Sequence, residues 1–390
     1  MDLQSTWDIL RRDAAAMFSE DGVLEKMKSG KSLKIKLGAD PSRPDLHLGH
    51  SVVLRKLRLL QDMGHEIIFV IGDFTGMIGD PSGKSRTRPP LTFEQTRKNG
   101  ETYFTQVSKI LDPSKTRIEY NSKWLGAMNF ADVLQLCGQY TVARILERDD
   151  FAARIRDGRA IGMHELLYPL MQGYDSVALG CDIEVGGTDQ TFNLLVGREL
   201  QRSFHQPPQE VITFPLLPGL DGNEKMSKSL DNYIGIDEPA GAMFEKCMKV
   251  PDPLLCDYFR LTTDLGEDDY LPLITSDIWA AHVLYAETVT AMYHDEEQAK
   301  KARIRYMKVA AGEAPESVPV VTLPGGHTSL ARVLVLSGLA ASSSEAGRLI
   351  AQGGIAVDGE VVQNARHDIE GCAPLLLRRG KNRFVRVQFK

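Results

Sequence analysis

Two histidines, His47 and His50, flank Gly49 at a point where the residue pattern changes from strand to helix. Leu33–Ala39 is predicted to be a strand, and Leu48–Met63 carries apolar residues at helical spacing. A helix that follows a strand of an open α/β sheet begins at the carboxyl edge of the sheet, where ligands bind and backbone N–H groups favour phosphate. A lone His-x-x-His pair is more often structural, but this position predicts a nucleotide site in which Gly49 lets a purine approach the backbone.

Two lysines, Lys225 and Lys228, lie with Ser229 in the polar loop Asp221–Asn232, which follows the predicted strand Val211–Phe214. Lysines separated by small residues can act as a mobile clamp that neutralises the charge developing on a triphosphate in the transition state. Most charged loops simply face solvent and bind no ligand. The presence of both motifs in one α/β chain favours a nucleotide-dependent enzyme.

Three polar residues lie on one face of a mostly apolar predicted helix, Met163–Leu179. Tyr168, Gln172 and Asp175 stand at positions i, i+4 and i+7, so they form one polar stripe. Such a stripe either lines a small polar pocket or faces solvent, and the spacing alone leaves both interpretations open.

Gly186 and Gly187 introduce a turn that continues with Thr188, Asp189 and Gln190. The last two side chains could hydrogen-bond a ribose hydroxyl or a substrate amine. The alternative is an ordinary helix N-cap.

A P-loop is excluded for the Gly-rich segment that ends in Gly83-Lys84-Ser85. The leading glycine of that motif would fall at position 78, which is isoleucine, and Gly79 comes one residue late.

The elements that must position these residues follow from the periodicity of the chain. Short apolar runs alternate with helical patterns in the first half, which is typical of a parallel α/β sheet. The pattern also predicts strands over His65–Ile71 and Asp182–Val185, a helix over Thr188–Gln201 and a long loop over Gly72–Pro90. From Glu238 to Gly312 the pattern is helical.

The C-terminal part of the chain has the pattern of a small separate module. Glu313–Gly326 is rich in Pro, Val and Glu and is predicted to be a linker. Two helices and two strands are predicted beyond it, over Thr328–Leu339, Ser343–Gln352, Gly353–Gly359 and Arg383–Phe389. We therefore expect three domains, at 1–235, 236–325 and 326–390.

Composition places the chain among globular proteins and excludes several other classes. Its 390 residues are 43% hydrophobic and 25% charged, and no run of 18 apolar residues occurs, so no membrane span is expected. The first residues lack the apolar region of a secretory signal. The five cysteines form no Cys-x-x-Cys pair, which argues against a zinc ribbon and suits the cytoplasm.

The net charge of −6 alone argues against a nucleic-acid binder. Residues 326–390, however, hold nine Lys and Arg against five Asp and Glu. A basic attachment on an acidic body favours binding of an acidic partner by this segment.

The motifs DLHLGH, GDFTGMIGDPSGK, YPLMQGYD, GGTDQ and KMSKS occur in this order, and over nearly its whole length the chain resembles the bacterial tyrosyl-tRNA synthetases. These are class I aminoacyl-tRNA synthetases. The tail segment SEAGRLIAQGGIAVDG resembles a small RNA-binding module shared with a ribosomal protein of the small subunit. The resemblance implies an α/β fold, with a Rossmann-like parallel-sheet catalytic domain, an α-helical anticodon-side domain and a small α+β RNA-binding module.

The resemblance also implies roles for particular residues. Those acting on the phosphates in catalysis are His47, His50, Lys225, Lys228 and Ser229. Those binding ATP are Asp40, Ser42, Gly49, Lys84, Arg88, Gly187, Asp189 and Met226. Those binding tyrosine are Lys36, Gly38, Asp80, Tyr168, Gln172, Asp175 and Gln190. Lys36 occupies a position where well-known members have a tyrosine that contacts the substrate phenol.

For the tail, charge and resemblance together predict RNA contacts by Arg348, Arg378, Arg379, Lys381 and Arg383. The partners implied are tRNA(Tyr), tyrosine and ATP with Mg²⁺, without a metal held by the protein, and the family works as homodimers. A tryptophan-specific relative, a catalytically silent RNA-binding protein and an ATP-driven ligase acting on protein are the alternatives.

Overall fold

The computed structural model describes residues 2–41, 46–80, 91–311, 318–364, 366–380 and 383–390. The chain divides into two compact units. One consists of Met1–Pro239 with Lys246–Val289, and the other of Ala240–Glu245 with Thr290–Lys390. The predicted division into three domains stays a prediction.

A six-stranded sheet organises the first unit. Its strands are β1 Ala16–Phe18, β2 Lys34–Ala39, β3 Glu66–Ile71, β4 Thr116–Tyr120, β5 Ile183–Gly187 and β6 Glu210–Phe214. They lie in the order β1-β6-β5-β2-β3-β4, and every neighbouring pair is parallel except β1 with β6. β3 and β6 are buried almost throughout, and β3 accordingly contains a continuous apolar run from Ile67 to Ile71, whereas β6 also buries Glu210 and Thr213.

The helices that precede β5 are α1 Leu3–Asp13, α2 Glu20–Lys28, α3 Leu48–Asp62, α4 Thr75–Ile78, α5 Phe93–Val107, α6 Ser122–Leu125, α7 Phe130–Cys137, α8 Val142–Ile145, α9 Asp149–Arg156 and α10 Met163–Leu179. Those that follow it as far as residue 310 are α11 Thr191–Ser203, α12 Ala240–Cys247, α13 Leu255–Thr262, α14 Glu267–Ser276, α15 Ile278–Tyr293 and α16 Glu296–Ala310. Short 3₁₀ turns lie at Pro113–Lys115, Thr188–Gln190, Lys228–Leu230 and Asp252–Leu254. No helix among the described residues is both long and apolar enough to cross a membrane.

Helix α10, which carries the predicted polar stripe, is held close to α11 by two glycines. A Cβ on Gly173 would lie 3.0 Å from the backbone nitrogen of Gly197, so the approach of the two helices requires glycine. Gly180 ends α10 in the left-handed conformation, with φ of 60°. The stripe on α10 is thereby fixed in position relative to α11.

The second unit contains a five-stranded sheet that two helices cover. Its strands and those of a separate ladder are β7 Val320–Leu323, β8 Gly326–Ser329, β9 Ile355–Val357, β10 Glu360–Val361, β11 Asp368–Gly371, β12 Leu375–Arg379 and β13 Arg383–Phe389. The sheet order is β10-β9-β12-β13-β7, and β8 pairs with β11. Helices α17 Leu330–Leu336 and α18 Ser343–Ala351 contribute Leu334 and Ile350 to the core.

Two predicted boundaries in this unit are wrong. The predicted linker Glu313–Gly326 contains β7, which pairs in parallel with β13, so only residues before it can serve as a linker. Thr328 lies in β8, and α17 begins later than predicted, at Leu330. In both places pairing with a distant strand overrides the local pattern, which was a Pro-rich linker in the first case and a helix in the second. Residues 312–317 lie outside the described residues.

Candidate active site

The carboxyl ends of β2, β3 and β5 open into one cavity of about 810 Å³. Asp40 follows β2, Gly72 follows β3 and Asp189 follows β5, and all three line the cavity. A volume of this size suits a nucleotide or another small ligand. The position agrees with the rule that open α/β sheets bind ligands beyond the carboxyl ends of their strands.

This cavity brings together residues from all five sequence motifs. The predicted site residues that line it are Gly38, Asp40, His47, Gly49, His50, Asp80, Tyr168, Gln172, Asp175, Gly187, Asp189, Gln190, Lys225, Met226, Lys228 and Ser229. Ser42, Lys84 and Arg88 lie outside the described residues.

The two histidines are neutral hydrogen-bond donors at the start of α3. Nδ1 of His47 accepts the Gly49 N–H and Nδ1 of His50 accepts the His47 N–H, each at 3.2 Å. Each ring therefore carries its proton on Nε2. Burial lowers the pKa of His50 to about 4, and burial together with His50 and Lys228 lowers the pKa of His47 well below its usual range. At neutral pH the cavity thus receives two uncharged imidazole N–H groups.

The lysine loop meets the turn after β5. Lys225 Nζ lies 2.6 Å from Asp189 Oδ2, and Lys228 Nζ lies 5.4 Å from the centre of the Tyr233 ring. Asn232 holds the loop from within, because its Oδ1 accepts the Ser227 N–H at 2.8 Å. The loop therefore presents two cations to the same cavity as the histidines.

The predicted stripe on α10 faces this cavity, which decides between the two interpretations of its spacing. Tyr168 donates its hydroxyl to Asp40 Oδ2 at 2.8 Å, and Thr75 donates to the other oxygen of the same carboxylate at 2.7 Å. Asp175 is buried and accepts the Trp124 indole N–H at 2.8 Å. Burial raises the pKa of Asp175 to about 7.

A second group of acceptors lies beside the stripe. Gln190 donates to Asp80 Oδ2 at 2.9 Å, and the Gln172 side-chain nitrogen lies 3.4 Å from Gln190 Oε1. The buried Oε1 of Gln172 has no hydrogen-bond partner among the described residues. A buried acceptor without a donor is costly, so this oxygen fits a site for a cationic amine.

Lys36 does not belong to the cavity lining, and the predicted contact with a substrate phenol does not fit its geometry. Its ammonium lies 2.8 Å from Glu184 Oε1 and 2.7 Å from Ser176 Oγ, beneath α10. The third contact is the Gln172 carbonyl oxygen at 3.4 Å. The ammonium thus pairs with Glu184 and hydrogen-bonds Ser176 on the side of the strand that does not face the cavity.

Sequence reasoning missed three side chains of the site. Thr75, Asn121 and Trp124 contact Asp40 or Asp175, and the first two line the cavity. Asn121 follows directly on β4, so assigning that strand would have located it at the carboxyl edge of the sheet. The TRIEY sequence of β4 is too polar to stand out as a buried strand.

Comparison with known proteins agrees with this geometry. The family model for class I tRNA synthetases (W and Y) matches residues 27–309, and the S4 domain model matches residues 329–373. A tyrosine–tRNA ligase of Deinococcus radiodurans is 48% identical over 97% of this chain and 95% of its own. One of Thermotoga maritima is 47% identical over 97% of this chain and 96% of its own. The chain belongs to the tyrosyl-tRNA synthetases.

Solved structures of other tyrosyl-tRNA synthetases show the same fold at low sequence identity. A C-terminally truncated mitochondrial enzyme of Aspergillus nidulans matches over 78% of this chain and 94% of its own, with a TM-score of 0.66 and 20% identity. The Archaeoglobus fulgidus enzyme, in complex with L-tyrosine, matches over 78% of this chain and 100% of its own, with a TM-score of 0.64 and 22% identity.

The tail residues predicted to bind RNA lie in or beside the S4 match of this tyrosyl-tRNA synthetase. Arg348 and Arg383 are exposed and Arg378 is half-buried. Arg379 is engaged within the module, because it donates to the Leu339 carbonyl at 2.6 Å and pairs with Glu345 at 2.9 Å. Lys381 lies outside the described residues.

Proposed function

We propose that the cavity is where this tyrosine–tRNA ligase joins L-tyrosine to ATP before transferring it to tRNA(Tyr). In the first step a tyrosine carboxylate oxygen bonds to the α-phosphorus, and the bond from that phosphorus to the bridging oxygen breaks. Tyrosyl-adenylate forms and pyrophosphate leaves. In the second step the terminal adenosine of tRNA takes the tyrosyl group and AMP leaves. The observation that carries the proposal is that one cavity is lined by both kinds of group. His47 and His50 can donate hydrogen bonds to phosphate, and Gln172 and Asp175 are buried acceptors for an amine and a phenol.

At the nucleotide end, His47 and His50 act as neutral donors to the phosphates, while Lys225 and Lys228 supply positive charge. Negative charge moves to the departing pyrophosphate as the bond breaks. Donors and cations fixed in advance stabilise that charge without reorganisation, so no covalent intermediate with the protein is needed. Lys225 already lies 2.6 Å from Asp189, a predicted ribose contact, which links the clamp to the rest of the ATP site.

At the amino-acid end, Asp80, Tyr168 and Gln172 bind the substrate ammonium, and Asp175 accepts the phenolic proton. The Oε1 of Gln172 supplies the acceptor that a cation requires. Asp175 has donors from Trp124 at 2.8 Å and Asn121 at 3.4 Å, which hold its carboxylate at the floor of the cavity.

ATP enters with Mg²⁺ bound to its phosphates. Among the described residues no group of three or more His, Cys, Asp or Glu side chains is arranged to hold a metal ion. In this proposal the phosphate oxygens of ATP provide ligands for the ion, because magnesium at such sites usually keeps few protein contacts.

The S4 tail binds tRNA through basic side chains, for which Arg348, Arg378 and Arg383 are the candidates. Arg348 and Arg383 are exposed and available for phosphate contacts. Arg379 serves mainly to position α18, given its contact with Glu345.

The chain forms a homodimer through an apolar surface on α7, α8 and α10. Phe130 is 76% exposed and Met163 is 74% exposed, Leu134 on α7 and Val142 on α8 are also exposed, and α7 and α8 both contact α10. Exposed apolar patches of this kind mark protein–protein interfaces, and a self-complementary patch gives a twofold dimer. Sedimentation should find a dimer for the wild type and a monomer for the Phe130→Asp/Met163→Asp variant; an unchanged dimer would move the interface elsewhere.

The two-step proposal is tested by separating the steps. Mixing the protein with ATP and radiolabelled tyrosine should give stoichiometric tyrosyl-adenylate. Adding a tRNA(Tyr) transcript should then move the label to RNA. A catalytically silent RNA-binding protein would bind the transcript without forming adenylate, and a ligase acting on protein would form adenylate without labelling RNA.

A further inference from the structure

A buried ion pair lies directly behind the residue that we assign to the substrate phenol. Lys36 on β2 and Glu184 on β5 are register partners on neighbouring strands, with their charged atoms 2.8 Å apart. Both side chains are only 1% exposed. A buried pair is costly to desolvate, so its presence calls for a reason beyond stability.

The pair is joined by hydrogen bonds to the part of α10 that bears Asp175. Lys36 donates to Ser176 Oγ at 2.7 Å, and this hydroxyl donates to Glu184 Oε2 at 2.9 Å. Lys36 also lies 3.4 Å from the carbonyl oxygen of Gln172. Ser176 is the next residue after Asp175, and Gln172 is the preceding residue of the stripe. The ion pair therefore fixes the turn of α10 from which two substrate contacts project.

We propose that the Lys36–Glu184 pair is a positioning and specificity device, which sets the charge of Asp175 and thereby the selection of tyrosine over phenylalanine without touching substrate. The proposal rests on the proposed function of the cavity. In this proposal Lys36 does not contact the phenol. It acts on Asp175 by holding α10 in position and by electrostatic interaction.

Neighbouring groups shift the pKa of Asp175 in both directions. Burial raises the pKa of Asp175, Lys36 lowers it, and Glu184 raises it. Trp124 and Asn121 donate to the carboxylate and also lower its pKa.

Two other titratable groups near Asp175 and the ion pair, Tyr168 and Cys181, stay uncharged. Tyr168 on the same helix keeps its proton, because burial and the charge of Asp40 raise its pKa well above the usual range. Asp80 and Asp175 act on it in the same direction. Cys181, near the pair, also stays protonated, because burial raises the pKa of its thiol to about 12. Removing Lys36 or Glu184 should therefore shift the ionisation of Asp175 in opposite directions.

The test is the pH profile of kcat/KM for tyrosine in pyrophosphate exchange, for the wild type and two single variants. Lys36→Met leaves Glu184 to repel the ionised Asp175, so the acid limb of the profile should move to higher pH. Glu184→Gln leaves Lys36 unopposed, so the limb should move to lower pH. A neighbouring charge typically shifts a carboxyl pKa by about one unit or more, so the two limbs should separate by at least about one pH unit.

The tyrosine-to-phenylalanine ratio of kcat/KM supplies a second readout. Lys36→Met should reduce this ratio at pH 7 by about tenfold or more, because a protonated Asp175 no longer presents an ionised acceptor that phenylalanine leaves unpaired. Raising the pH to about 9 should restore most of the ratio. If Lys36→Met only disturbed the packing around α10, raising the pH would not restore the ratio.

Two further variants keep the test decisive. Lys36→Met/Glu184→Gln removes both charges and should return the acid limb close to that of the wild type, which would show that the opposite shifts of the single variants arise from charge. Lys56→Met is a matched control, because Lys56 is also buried and paired, at 2.5 Å from Asp13, but does not line the cavity. It should leave the acid limb and the selectivity unchanged.

Acid limbs that stay in place, or that move the same way in both folded single variants, would overturn the proposal. Absence of tyrosine-dependent exchange in the wild type would instead overturn the proposed function, so the two failures are distinguishable.

Discussion

Replacing His50 tests whether a neutral imidazole acts on the phosphates. Its Nδ1 is occupied by the His47 N–H at 3.2 Å, so the Nε2–H is the group available to substrate. Loss of one such transition-state donor typically costs about 2.7–4 kcal/mol, or roughly 10²–10³ in rate. His50→Ala should therefore lower kcat for tyrosyl-adenylate formation by about that factor, with little change in the KM for tyrosine. His50→Gln, whose amide nitrogen can reach the place of Nε2, should recover part of the loss.

The pH dependence of this effect separates a neutral donor from a cation. The pKa of His50 is lowered to about 4, so the ring stays uncharged from pH 6 to pH 9. The rate ratio of wild type to His50→Ala should then be constant over this range in single-turnover measurements. His164→Ala, an exposed histidine outside the cavity, is the control and should match the wild type. A ratio that rises steeply as the pH falls to 6, or a change confined to KM, would refute the assigned role.

Three further predictions concern the lysine loop, the phenol pocket and the tail. Lys228→Ala should lower kcat for adenylate formation by roughly a hundredfold with little effect on tyrosine affinity. The reason is that the lysine charge interacts with pyrophosphate as the pyrophosphate leaves. A change in binding alone, measured by pre-steady-state kinetics, would contradict this prediction. Asp175→Ala should reduce the tyrosine-to-phenylalanine ratio of kcat/KM by roughly tenfold to a hundredfold, since a hydrogen bond to a charged group is worth about 1.5–3 kcal/mol; an unchanged ratio would shift selection to other groups. Deleting residues 318–390 should leave pyrophosphate exchange nearly intact and abolish most tRNA charging. The same deletion should flatten the log–log salt dependence of tRNA binding, by a little under one unit of slope for every phosphate that the tail neutralises; equal loss of both activities would indicate a structural role for the tail.

The deletion begins at residue 318 because the boundary of the tail predicted from the sequence was wrong. A Pro-rich stretch predicted a linker up to Gly326, whereas β7 at Val320–Leu323 pairs with β13 of the same module. Pairing between segments distant in the sequence leaves no local signal, and the same reason hides β1, which pairs with β6. Local patterns do determine α10, which spans Met163–Leu179 as predicted because its periodicity is strong and both ends are marked by glycines.

The candidate site was predictable where motif residues face a common cavity, and less so where their partners come from elsewhere. The order of strand, turn and helix was enough to bring His47 and Lys225 to one edge of the sheet. The orientation of Lys36 was not predictable, because residues of a strand buried on both faces can point to either layer. Its partner Glu184 lies on a strand almost 150 residues away in the sequence, and a single sequence does not reveal that pairing.

The central claim is that the cavity activates tyrosine, and amino-acid-dependent exchange of pyrophosphate into ATP tests it most directly. The purified protein should be assayed with each of the twenty standard amino acids at equal concentration, alongside Asp175→Ala. We expect tyrosine alone to support appreciable exchange in the wild type, and its advantage over phenylalanine to fall in the variant. Preferential activation of tryptophan, or exchange that does not depend on tyrosine, would contradict the claim.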